Sequence, residues 1–138
     1  MGIAKGQFNS ILSGIFTEGN IIKLYTKTPT EGVETNGILL SGTSVKNYEI
    51  QSGDFTVSNG EVTSRQNMML FLYEGEAVSC DGFGVFDGKG TMLYFGAFDN
   101  GPMVLEYNDV PAIKKYNSSK GEGVRITMQS TEVSATTT

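Results

Sequence analysis

Few side chains in this 138-residue chain could do acid–base or covalent chemistry, and histidine is not among them. Without histidine, Ser-His and Cys-His pairs of nucleophile and base are impossible. Cys80 is the single cysteine and opens an apolar stretch. It reads as a small buried hydrophobe rather than a nucleophile. Glu74 and Glu76 are a pair of carboxylates close in sequence. Glycoside hydrolysis needs two carboxyl groups facing one another across a bond, whereas these flank Gly75 in the pattern of an exposed turn. Asp81, Asp87, Asp99 and Asp109 each lie beside or near Gly, Asn or Pro, where turns favour aspartate. No run alternates acidic residues ahead of a glycine as a calcium loop does. Asp81 and Asp87 come nearest to a metal-donor pair, and one cysteine without histidine leaves no ligand set for structural zinc. The glycine-rich stretches Gly82-Phe83-Gly84 and Gly88-Lys89-Gly90 lack the Gly-Lys-Ser/Thr and following helix of a phosphate loop. The expectation is a non-enzymatic protein with no catalytic residue, no cofactor and no metal.

Binding chemistry is better represented. Six tyrosines, Tyr25, Tyr48, Tyr73, Tyr94, Tyr107 and Tyr116, offer an apolar ring with a polar tip. Tyr94 and Tyr107 are the candidate contacts to a host glycan, although tryptophan is absent. The net charge of −5 and scattered basic residues argue against nucleic acid, because phosphate contacts need clustered Lys and Arg. Lys114-Lys115 is the one basic doublet and reads as a solvated turn. No stretch approaches the ~20 apolar residues of a membrane helix, and Met1 to Gly14 has no continuous apolar core of signal-peptide type. A lone cysteine permits no intrachain disulfide, so folding in a reducing cytoplasm is expected.

The elements that must position these residues are mostly strands. Phe8, Ile11, Leu12, Ile15 and Phe16 follow helical spacing, which predicts one helix over 7–17, closed by Gly19-Asn20. The period then changes to two. Ile21 to Thr28 is expected as a strand with Ile22, Leu24 and Thr26 on one face, stopped by Pro29. Ile38 to Leu40 and Val45 to Ile50 are short strands around Ser41-Gly42. Asn59-Gly60 between Phe55–Ser58 and Glu61–Ser64 predicts a type I′ hairpin with Val57 opposite Val62. Asn67 to Tyr73 is an apolar strand. Val78 to Phe86 and Met92 to Phe98 form the expected core pair, the second apolar on both faces and therefore expected at the centre of a sheet. Asn108 to Pro111 is a turn, and Val124 to Met128 a final half-buried strand.

About eight or nine short strands at roughly 8–12-residue spacing predict an all-β fold, a single β-sandwich of jelly-roll type with one short N-terminal helix. The domain is expected over 1–129, with a Ser/Thr-rich flexible tail over 130–138.

The order of these words resembles a family of small tailed-phage virion proteins often labelled tail fibre proteins. The resemblance spans about residues 8–128 and rests on Ile22 to Thr30, on Ser41-Gly42 with Tyr48, on Gly82-Phe83-Gly84-Val85-Phe86-Asp87 and on Met92-Leu93-Tyr94-Phe95-Gly96-Ala97. Family members carry a Gly-or-His-Phe-x-Ile-Phe-Asp strand and then a Leu-Leu-Tyr-x-Gly-Ala-Leu strand. This chain departs from them in a reduced glycine stretch before Tyr48, in lacking a Trp-Gly ahead of the core pair, and in a longer segment over 99–116. The resemblance implies a structural protein of the virion, made in the host bacterial cytoplasm. It would self-associate, as a trimer, and dock on the major capsid protein as a decoration or head-fibre subunit. A small tail-fibre or baseplate subunit, or a carbohydrate-binding module, is the alternative. Phe8, Ile11, Leu12, Ile15, Tyr25 and Tyr48 are the candidate assembly contacts.

Overall fold

A computed structural model describes residues 5–30, 32–40, 45–65, 68–98, 101–118 and 124–132. The fold is all-β with one N-terminal helix, α1 (Lys5–Ile15). Helical spacing brings Phe8, Leu12, Ile15 and Phe16 inward, and Leu12 and Phe16 are buried. The end of α1 is closed by Asn20, whose Nδ2 donates to the carbonyls of Gly14 and Ile15 at 3.3 and 3.0 Å. These satisfy backbone acceptors that a helix C-terminus leaves without partners. Gly19 turns the chain at φ 97°.

Twelve strands follow among the described residues. The first five-stranded sheet runs β2 (Ile38–Leu39), β1 (Ile21–Lys27), β8 (Gly82–Phe86), β9 (Met92–Ala97), with β3 (Tyr48–Glu49) also on β1. The second runs β12 (Val124–Glu132), β11 (Asp109–Ser118), β5 (Glu61–Ser64), β4 (Phe55–Ser58), with β6 (Met68–Met69) on β11. A small sheet pairs β10 (Met103–Leu105) with β7 (Val78–Cys80). Every named ladder is antiparallel. One hydrophobic cluster joins the sheets and α1, with Ile22, Leu24, Phe83 and Val85 from the first sheet meeting Val62, Met68 and Ile113 from the second. The register pairs Ile22 with Val85 and Leu24 with Phe83, so residues opposite one another share the core face.

The Asn59-Gly60 hairpin is as expected. Both residues have positive φ, 55° and 76°, and Val57 stands opposite Val62. The helix docks on this hairpin, where Asn9 Oδ1 accepts the Gly60 N–H at 2.6 Å.

Twelve strands stand among the described residues where the spacing predicts eight or nine, and the strand expected over 67–73 is reduced to Met68–Met69, because 70–73 bond to β11 only through the N–H groups of Leu70 and Tyr73. Four other expectations change as well. First, β9 is not central but lies at the end of its sheet path, half-buried, whereas the central, wholly buried strand is β8. An apolar residue on both faces of β9 is satisfied by Tyr94 packing inward and by a bulge that leaves Leu93 exposed. Second, 78–86 is two strands. The chain changes sheets at Asp81, whose N–H donates to Tyr25 O and whose carbonyl accepts from Phe98 N–H. Third, the turn near 108 is centred earlier. Asn108 adopts φ 74°, and Val110 and Pro111 already belong to β11. Fourth, Lys114-Lys115 lies within β11, beside a register shift, rather than in a turn. At the C-terminus β12 continues through Glu132, opposite Asp109, so 130–132 belong to a ladder, while 133–138 lie outside the described residues.

The second face of the first sheet is also filled. Tyr25 is buried there, its ring lying over Gly84, where an added Cβ would stand 2.8 Å from Tyr25 Cε1. Lys23 Nζ stands 4.6 Å from the centre of the Phe86 ring, a cation over the negative face of an aromatic.

Candidate functional site

The strongest polar constellation is built around Asp54. Gly53 at φ 89° lets the chain turn after Gln51, and Asp54, the residue just before β4, has its side chain only 3% exposed. A buried carboxylate is tolerated only when its charge is met by donors. Here Oδ2 accepts from the Tyr48 hydroxyl at 2.5 Å and the Gln51 N–H at 2.8 Å, and Oδ1 accepts from Arg65 Nε at 2.9 Å. Arg65 N–H also donates to the Asp54 carbonyl. Burial pushes the Asp54 pKa up. The bonds from Tyr48, Arg65 and the Gln51 backbone, with the Arg65 charge, outweigh it, and the net pKa lies below the ordinary carboxylate value. Tyr48 is raised, first by burial and then by its bond to Asp54 and the charge there. The cluster ties β3 of the first sheet to β4 and β5 of the second.

Beside this cluster a groove of about 500 Å³ opens between residues 46–51 and 70–74. Tyr48, Phe71 and Leu72 supply its apolar surface; Asn47, Gln51 and Glu74 are among its polar side chains. Gln51 Nε2 donates to the Glu49 carbonyl at 3.0 Å. Leu70 and Tyr73 hold the opposite wall to β11 through their N–H groups on the Pro111 and Asp109 carbonyls.

The residues singled out from sequence fall in separate places. Of the assembly candidates, Leu12 is in the core, while Phe8, Ile15 and Tyr48 pack against it. Tyr25 is buried on the second face of the first sheet, and Ile11, at the margin of the helical stripe, stays 46% exposed. Tyr94 sits in an aromatic cluster, its ring centre 5.8 Å from both Phe83 and Phe16. Tyr107, 64% exposed, stands on the turn before β11. Glu74 and Glu76 are exposed. The Glu76 carbonyl accepts from the Tyr73 hydroxyl at 2.6 Å, and Glu74 borders the groove. Asp87 closes its turn by accepting from the N–H groups of Lys89 and Thr91, both at 2.9 Å. Among the described residues no three of Asp, Glu and Cys gather as metal ligands. Cys80 is buried, and burial, with the nearby Asp81 charge, pushes its pKa to about 11. Its thiol is therefore protonated at neutral pH and a poor nucleophile. No helix among the described residues is long and apolar enough to cross a membrane.

Sequence reasoning missed Asp54 and Arg65. A signal was present, because a hairpin turning at Asn59-Gly60 with Phe55 opposite Ser64 brings Asp54 and Arg65 opposite one another one step further on.

Comparison with protein-family models, with curated proteins and with solved structures finds no match for this chain.

Proposed function

We propose that this protein is a non-enzymatic structural subunit of a tailed-phage virion, docking on the capsid surface as a decoration or head-fibre subunit. The observation that carries the reading is the 82–98 pair, the most specific part of the sequence resemblance, which forms the β8–β9 ladder, with β8 the buried central strand and β9 at the end of the sheet. Its glycines have a packing reason: Gly84 leaves room for the Tyr25 ring from the neighbouring strand. An all-β module of this kind, read as a jelly roll, would serve assembly, because layered antiparallel sheets bury their faces and leave a rigid outer surface. The absence of histidine from the whole chain also favours structure over catalysis. In this reading the protein forms a trimer and docks on the major capsid protein. Ile11 is the assembly candidate that the protomer itself leaves most open.

Immunogold electron microscopy of the phage particles with antibody to this chain tests the proposal. Label spread over the heads is the expected result. Label confined to the tail end would replace it with a tail-fibre or baseplate subunit, and intact particles without label or chain would overturn the virion reading.

A further inference from the structure

The groove between residues 46–51 and 70–74 shares only Tyr48 with the assembly candidates, and Tyr48 is half-buried there with its hydroxyl held by Asp54. We propose that the groove is a binding site for a neutral oligosaccharide, a site separate from Tyr94 and Tyr107 and independent of where the protein resides. Its volume of about 500 Å³ lies within the range of small-ligand clefts and suits one or two sugar rings. Tyr48 and Leu72 offer apolar surface for the C–H faces of a pyranose, Phe71 being buried in the core, while Asn47, Gln51, Glu49 and Glu74 supply acceptors and donors for hydroxyls.

Two features narrow the ligand class. Lys46 is the one cation among the lining residues, against the carboxylates of Glu49 and Glu74, so an anionic ligand meets net repulsion. An extended peptide would have to pair with the outer edge of β3. There the Glu49 carbonyl already accepts from Gln51 Nε2, and the Gln51 N–H is bound by Asp54. These two edge groups are taken by the chain's own side chains, which disfavours β-strand addition and leaves side chains to do the recognising.

The site is also built in advance. Tyr48 carries its hydroxyl on the buried Asp54, which Arg65 holds from the other side, so the ring is fixed before any ligand arrives. A ring fixed beforehand has less conformational freedom to lose on binding.

Saturation-transfer NMR with maltotriose, cellotriose, chitotriose and mannotriose tests the site, with sialyllactose and penta-alanine as the anionic and peptide probes. Transfer to at least one neutral trisaccharide is expected, and none to the other two probes. Leu72, at 41% exposed, is the variant of choice, because Leu72→Arg fills the groove without touching the core. It should weaken binding at least tenfold with an unchanged melting temperature, and Glu74→Lys should weaken it in the same direction. Tyr107→Ala should leave it unchanged. No transfer to any neutral trisaccharide, transfer surviving Leu72→Arg, or preferential binding of sialyllactose or penta-alanine would each overturn the proposal.

Discussion

At the scale of single residues, Asp54 carries the sharpest consequences. Its carboxylate is met by three donors from three places in the chain, and hydrogen bonds to a charged group are each worth about 1.5–3 kcal/mol. Asp54→Asn removes the charge and mismatches at least one donor, so it should destabilise the fold by about 2–3 kcal/mol at pH 7 in urea denaturation. The pH dependence has a definite sign. Because the folded pKa lies below the unfolded one, the stabilisation is fully present above the unfolded value of about 3.9. It is lost as pH falls through the folded value. The stability gap between wild type and Asp54→Asn should therefore be constant from pH 7 to about 5 and narrow below about pH 4. A gap that widens on acidification would contradict the assignment of Asp54 as the charged centre. Arg65 contributes less than its distance suggests, because its side chain is 52% exposed and solvent screens the pair.

At the scale of elements, two contacts fix neighbouring elements against one another. The first is the close approach of β1 and β8 on the second face of their sheet, where Tyr25 crosses Gly84. A methyl group there forces the Tyr25 ring aside, and overpacking of this kind costs about 1–3 kcal/mol. Gly84→Ala should lower the denaturation midpoint accordingly, whereas Gly88→Ala, with open space around it, should change it little. The second contact is the helix on its hairpin. Asn9 satisfies the Gly60 N–H, so Asn9→Ala leaves a part-buried donor without its partner and should cost about 1 kcal/mol in thermal melts. An Asn9→Ala protein as stable as wild type would mean that α1 is held by its apolar face alone.

At the scale of the whole molecule, the outward surface matters most. Ile11 stands on α1, while Ile38, on a terminal strand of the first sheet, and Val104, on β10, are also exposed. Exposed apolar side chains that occur singly need no explanation. Ile11 differs because it continues the same helical stripe that Leu12 and Phe16 bury. Under the virion reading, sedimentation velocity should show a trimer, and Ile11→Arg should shift it to monomer while leaving the melting temperature within a degree or two, since surface changes of this sort cost under about 0.5 kcal/mol. A monomer at assembly concentrations in the wild type would remove α1 from the list of contacts.

The sequence alone determined the class of fold, because period-two patterning and turn residues act locally. Asn59-Gly60 specified both its positive φ values and the register of β4 against β5. Helical spacing located α1 to within two residues at each end. Periodicity, however, reports which faces are apolar and not what covers them. Only the tertiary structure decided that β8 and not β9 is the central strand, that the chain changes sheets at Asp81, and that Lys114-Lys115 continues a strand. The same holds for the site. Arg65 opposite Asp54 follows from hairpin register, but Tyr48 comes from β3, in the other sheet, and meets them only when the two sheets pack. Contacts between residues adjacent through a turn are written in the sequence. Contacts made across layers depend on which faces the whole chain buries, and no local pattern encodes that.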